Sequence, residues 1–189
     1  WLRKPVEERY QIANGKLRMY GSAEGLNELK NSPSFVGFRQ EDFDFQAETC
    51  VKLGNASNGD KAGMTVYMDY NGHYDVYVAK KGGKWVVGTN YTFGPVNHVE
   101  EVTVNSSKVW LRLTGNRSQY MLWYSTNGTD FKQVGTGDAR FLSTEPLGNF
   151  TGIMLGLWAQ SPSVKGYADF EYFEYKQVEP QWPRRRRPQ

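Results

Sequence analysis

The chain has 189 residues, 39% of them hydrophobic and 15% aromatic, with 20 glycines and a single cysteine. This length fits one all-β core, and aromatics and glycines set against few alanine or leucine runs favour strands and tight turns over helices. The formal net charge of +3 rests on Arg184, Arg185, Arg186 and Arg187, without which the balance is −1. That argues against a nucleic-acid or anionic-membrane surface on the globular part, and no apolar run approaches the roughly 20 residues of a membrane-spanning helix.

The first chemically dense stretch is "FRQEDFDFQAET", Phe38 to Thr49. From Asp42 onward it alternates: Phe43, Phe45, Ala47 and Thr49 share one parity, and Asp42, Asp44, Gln46 and Glu48 the other. An extended chain puts these two sets on opposite faces. A retaining glycosidase needs two carboxyl groups about 5–5.5 Å apart, and alternate residues of a strand can supply them. The sandwich endoglucanases of the laminarinase type use a Glu-x-Asp-x-(x-)Glu strand. The corresponding window here runs Asp42, Asp44 and then Gln46 or Ala47, so the first acid is shortened and the last is absent. The same stretch makes a poor calcium loop, because it lacks the glycine turn that wraps a cation. Cys50 follows; it cannot form an internal disulfide, and with no local partner motif at His73 or His98 it is expected to be a small half-buried residue.

Residues 62–80, "AGMTVYMDYNGHYDVYVAK", carry the strongest local signal. Met64, Val66 and Met68 alternate with polar residues, Asn71-Gly72 is expected to supply the positive φ angles of a tight turn, and Tyr74, Val76 and Val78 alternate on the return. A turn at "KKGGKW" extends the meander through Trp85 to Val87. "KVWLRL" and "QYMLWYS" make another pair, "STNGTDFKQVG" turns at Asn127-Gly128 into the next strand, and "TGIMLGLWAQ" and "YADFEYFEYK" supply the last two. Ile153, Leu155 and Leu157 share one face, and "LSTEPL" is the best candidate for a helical turn. Ten or more short strands without an apolar helical stripe predict two packed antiparallel sheets, an all-β sandwich over residues 1–176. After Lys176 the chain reads "QVEPQWPRRRRPQ", where three prolines rule out a central strand; residues 177–189 are expected to be a Pro/Arg-rich tail.

Six of the twelve asparagines begin Asn-x-Ser/Thr triplets: Asn55, Asn90, Asn105, Asn116, Asn127 and Asn149. That excess favours a glycoprotein passed through a eukaryotic secretory pathway, hence a secreted protein. No Gly-x-Ser-x-Gly, His-Glu-x-x-His or Gly-x-x-x-x-Gly-Lys is present, so no catalytic constellation or cofactor emerges from the motifs. Asp169 in "ADFEYF" is the one candidate for a structural calcium. Tyr67, Tyr70, Tyr74, Tyr77, Trp85, Trp123 and Trp158 offer flat faces to sugar rings or fill the core; Tyr74, Trp85 and Trp123 are the stacking candidates.

In order and spacing, "FRQEDFDFQAET", "AGMTVYMDYNGHYDVYV", "YMLWYSTNGTDFKQVG", "RFLSTEPLGNFTGIMLGLWA" and "ADFEYFEYK" resemble the C-terminal concanavalin A-like domain of glycoside hydrolase family 43 β-xylosidases. The resemblance implies a sandwich (a concanavalin A-like jelly roll) following a five-bladed propeller in the same polypeptide. That propeller carries the catalytic carboxylates of a glycosidase, a β-xylosidase or α-L-arabinofuranosidase that degrades xylan or xylo-oligosaccharides. It also implies that the sandwich lends one phenylalanine to the pocket rim. The family pattern Arg-Arg-x-Gln-x-Phe-Asp/Asn-Phe falls on Phe38 to Phe45, so Phe43 matches the pocket residue, Arg39 is a second substrate-contact candidate, and Phe45 faces the core. This division requires a turn or bulge near Asp44. Phe38 departs from the pattern's first arginine, and the chain is expected to start past the family's first strand. A free-standing xylan-binding module, holding carbohydrate by its own aromatics, is the alternative.

Overall fold

The alternating apolar residues form thirteen strands among residues 5–143 and 152–180, which the computed structural model describes. After a 3-10 turn at Glu7–Arg9 come β1 (Tyr10–Ala13), β2 (Lys16–Tyr20), β3 (Ser34–Arg39), β4 (Phe45–Gly54), β5 (Lys61–Asp69), β6 (Gly72–Lys81) and β7 (Lys84–Phe93). Then follow β8 (Val96–Val104), β9 (Lys108–Gly115), β10 (Gln119–Ser125), β11 (Lys132–Asp138), a second 3-10 turn at Ala139–Leu142, β12 (Met154–Gln160) and β13 (Tyr167–Gln177). One sheet has the order β1-β2-β13-β4-β9-β10-β11 and the other β3-β12-β5-β6-β7-β8. The predicted two-sheet antiparallel sandwich is present.

Inward-facing parity makes the core. Phe45, Ala47, Val51 and Leu53 of β4 and Val109, Leu111 and Leu113 of β9 face Met64 and Val66 of β5, Val76 and Val78 of β6, and Leu155 and Leu157 of β12. Each large side chain taken fully from water contributes about 1.5–3 kcal/mol before entropy is counted. A smaller cluster of Phe35, Tyr67, Tyr77 and Trp158 lies apart from this core and packs with Leu26 of the β2–β3 connection.

Several local expectations change. Asn71-Gly72 does turn the β5–β6 hairpin, but neither residue takes a left-handed φ. Asp69 Oδ1 instead accepts a 2.8 Å hydrogen bond from the Asn71 backbone N–H, and the register shifts by a bulge between Tyr67 and Asp69. Left-handed angles fall at Asn14 and Gly15, turning a β1–β2 hairpin absent from the sequence reading. β7 runs on to Phe93, beyond the expected Val87, because it pairs along its whole length with β6 and β8. Of "LSTEPL" only Leu142 and Ser143 lie within the described residues; the 3-10 turn ends at Leu142.

Candidate functional site

β3 ends at Arg39 and β4 starts at Phe45, so the alternation read from Asp42 starts three residues too early. Residues 40–44 form a connection fastened at Gln40, Asp42 and Asp44. The Gln40 backbone N–H donates to the Ile153 carbonyl at 2.9 Å, its side-chain Nε2 donates to the Asp42 carbonyl at 2.7 Å, and its Oε1 accepts from the Tyr120 hydroxyl at 2.7 Å. The Tyr175 hydroxyl donates to Asp42 Oδ2 at 2.5 Å and accepts from the Asp42 N–H at 3.2 Å. The Asp44 carbonyl accepts from the Val178 N–H at 3.0 Å. Burial, reinforced by the Asp42 carboxylate, pushes the Tyr175 phenol up to about 12, so it stays a donor throughout the neutral range.

This anchored turn separates the two phenylalanines. Phe45 is fully buried and stacks on Tyr175 at 5.8 Å, whereas Phe43 is 58% exposed. The guanidinium of Arg117, from the β9–β10 turn, sits 4.7 Å from the Phe43 ring centroid. Phe43, Gln40, Glu41, Asp42, Tyr120 and Ile153 line an open recess of about 230 Å³. Arg39 is exposed at the last position of β3, opposite Met154. Phe38 turns inward, edge-on to Phe173 and Tyr175 at 5.4 and 5.1 Å, which explains why an arginine would not suit this position.

Strand registers bring further residues to the same end of the sandwich. Phe45 pairs with Gly115, Gln119 with Asp138, and Gly72 with Phe93. Phe141 of the second 3-10 turn, 50% exposed, packs on Phe93 at 5.3 Å. Arg140 hydrogen-bonds the Asp138 carboxylate and draws its carboxyl down to about 2. Exposed rings at Phe43 and Phe141 thus share one end with Arg39, Arg117 and Arg140. Sequence reasoning missed Arg117 and Phe141; "DARFL" offers the signal of a lone phenylalanine beside an arginine in a turn.

The remaining site candidates divide. Tyr74 does not offer a face to a ligand: it is buried between Tyr91 and Tyr120, and its hydroxyl donates to the Asp138 carbonyl at 2.8 Å. Trp85 is half-buried against the main core with the Lys80 ammonium 5.6 Å over its ring. Trp123 belongs to neither core cluster and lines an open groove. Tyr67, Tyr77 and Trp158 are buried, and Tyr70 is half-buried. Asp169 does not suit calcium, because the Arg18 guanidinium holds both its oxygens at 2.8 and 2.9 Å; no group of three metal-ligating side chains occurs among the described residues.

Asn90 is corrected as a glycosylation site. Its side chain is buried, with Nδ2 donating to Asp75 Oδ2 at 2.8 Å and Thr92 Oγ1 at 3.2 Å. Asn55, Asn105 and Asn127 are exposed, Asn116 is half-buried, and Asn149 lies outside the described residues. The four arginines of the tail also lie outside them.

Cys50 is wholly buried rather than half-buried, on the face of β4 opposite the core set. Burial, with the Glu171 carboxylate adding to it, pushes its thiol up to about 12 from an ordinary 9.0. The thiol is therefore protonated at neutral pH. Its contribution to stability is complete below about pH 9 and fades as pH climbs toward 12. We expect an aromatic disulfide reagent at pH 8 to leave the native thiol unmodified and to titrate one thiol in denaturant; rapid native labelling would contradict the burial.

A concanavalin A-like sandwich with an exposed aromatic on a rigid end loop is the class that fold and site define. A profile described as the β-xylosidase C-terminal concanavalin A-like domain matches residues 1–176, and the chain belongs to that glycoside hydrolase family 43 domain family. A non-reducing end α-L-arabinofuranosidase of Bacteroides ovatus is 26% identical over 185 residues, which is 93% of this chain and 34% of that protein. A xylan 1,3-β-xylosidase of a Vibrio species is 28% identical over 191 residues, 92% of this chain and 34% of its own length. Among solved structures, a family 43 protein from the Bacteroides ovatus xyloglucan locus superposes with a TM-score of 0.85 at 25% identity, covering 93% of this chain and 36% of that one. A xylan β-1,4-xylosidase from Bacillus halodurans gives 0.79 at 28% identity, over 91% and 34%. The chain spans about a third of the length of these relatives.

Proposed function

We propose that this chain is the non-catalytic accessory sandwich of a family 43 glycosidase acting on xylan-type hemicellulose, as a β-xylosidase or α-L-arabinofuranosidase. Its role is to place Phe43 at the rim of the substrate pocket of a catalytic propeller in the same polypeptide. The observation that carries this reading is Phe43 itself: a large ring, 58% exposed, on a connection hydrogen-bonded at both of its chain neighbours, Asp42 and Asp44. An exposed ring loses favourable burial unless something covers it, and a fixed loop positions it without further ordering cost. The relatives, named as xylosidases and arabinofuranosidases, extend well beyond the length matched here. Exposed Asn55, Asn105 and Asn127 support the further reading of a secreted glycoprotein.

The test is Phe43→Ala in the full-length protein, assayed on an aryl xyloside and an aryl arabinofuranoside. We expect kcat/KM to fall roughly 10- to 100-fold through lost positioning, with the melting temperature unchanged. Wild-type kinetics on both substrates would sink the proposal. The alternative of an independent xylan-binding module loses Tyr74, which is buried, and rests on the half-buried Trp85 and Trp123.

A further inference from the structure

β10 alternates Tyr120, Leu122 and Tyr124 toward the core with Met121 and Trp123 toward the opposite face. Trp123 is half-buried there, and its indole N–H, its only polar atom, donates to Thr114 Oγ1 of β9 at 2.9 Å. The bond fixes the ring across the strand pair and leaves no polar demand on its faces. Trp123, Met121 and Thr114 line an open groove of about 700 Å³, within the range of ligand sites. Asp44, Arg117 and Glu179 stand around it, so both charges are represented and no single ionic ligand is selected. Arg117 also packs on Phe43, and Asp44 follows Phe43 in the chain, so the groove begins where the Phe43 recess ends.

We propose that this groove is a binding subsite for an uncharged oligosaccharide chain, held by the Trp123 ring and hydrogen-bonded at the polar rim. A flat apolar floor with a mixed donor and acceptor rim matches the alternation of C–H faces and hydroxyls on a pyranose ring. The choice of a xylose chain rests on the proposed function above; the groove does not. A chain leaving the Phe43 recess continues along Trp123, so the subsite favours polymer over monomer.

The experiment is a titration of the 189-residue chain, made in bacteria so that Asn116 at the groove carries no glycan, with xylohexaose. The indole N–H resonance of Trp123, assigned by its loss in Trp123→Phe, is followed by NMR. We expect a saturable shift of that resonance. Affinity, followed on the other resonances that move, should fall about tenfold or more in Trp123→Ala, the loss of one aromatic contact. Since Trp123→Ala removes a half-buried ring, Ser118→Tyr serves as the second variant: Ser118 is exposed at the groove, and a tyrosine there fills the mouth without touching either core. No shift at saturating xylohexaose, or unchanged affinity in both variants, overturns the subsite. Binding by the wild-type chain that weakens in these variants, together with normal kinetics for Phe43→Ala, would leave the subsite standing and remove only the pocket role.

Discussion

Phe45→Ala is expected to destabilise the domain by about 3–5 kcal/mol, while Phe43→Ala, two residues earlier, changes stability by less than about 0.5 kcal/mol. Phe45 is fully buried, stacks on Tyr175 at 5.8 Å with an interplanar angle of 18°, and meets Tyr120 at 6.2 Å. Its ring also fills the space over Gly115, where an added Cβ would lie 2.3 Å from it. Truncation empties a volume walled by paired strands β4 and β9, which cannot collapse into it without breaking register. Phe43 has no such cavity to leave, since it is 58% exposed. For a domain of this size the difference corresponds to a fall of roughly 10 °C in melting temperature for Phe45→Ala alone. Equal melting temperatures for the two variants would mean that the loop does not divide them as described.

That division shows where sequence pattern informs and where it does not. Alternation over residues 62–80 revealed the β5–β6 hairpin because the core residues Met64, Val66, Met68, Tyr74, Val76 and Val78 recur at every second position on both sides of the turn, although both faces of the two strands are buried. The same rule applied at Asp42 placed Phe43 and Phe45 on one face. It failed because hydrogen bonds from Gln40, Tyr120, Tyr175 and Val178, all distant in sequence from the loop except Gln40, hold residues 40–44 out of the strand. The resemblance to the family supplied the turn that periodicity lacked. β13 is legible as a strand but not in its core face: a bulge between Phe170 and Phe173 changes parity, so Ala168 and Phe170 face the core and then Phe173 and Tyr175 do. β8 gives no apolar alternation because it is an edge strand, exposed from Val96 to Thr103. β1 and β2 carried a legible Asn14-Gly15 turn, but their strands are short and their burial slight. Of the aromatic candidates, composition could not separate Tyr74 from Trp123, since the difference lies in which sheet face each parity meets.

The second large effect lies beneath the face of β6 that the apolar core does not use. Asp75 there accepts hydrogen bonds from Thr65 Oγ1 at 2.6 Å, Asn90 Nδ2 at 2.8 Å and His73 Nδ1 at 2.9 Å, all from buried side chains. A carboxylate only accepts, so Nδ1 carries the histidine proton, and His73 Nε2 is left without a hydrogen-bond partner. Asp75→Ala strands three donors on strands β5, β6 and β7 at once. Breaking a buried charged network from one side costs about 3–5 kcal/mol, because the groups left behind stay desolvated. The variant should therefore lose roughly 10 °C of melting temperature or fail to accumulate. The cause is separable from lost volume: Asp75→Leu combined with His73→Leu and Thr65→Val removes two of the three donors together with the acceptor and should recover a substantial part of the loss. A triple variant no more stable than Asp75→Ala would show that packing, not the stranded donors, holds this part of the sheet. Asn90 keeps its bond to Thr92 Oγ1 at 3.2 Å in either background, so the measurement isolates the acceptor that ties three adjacent strands together.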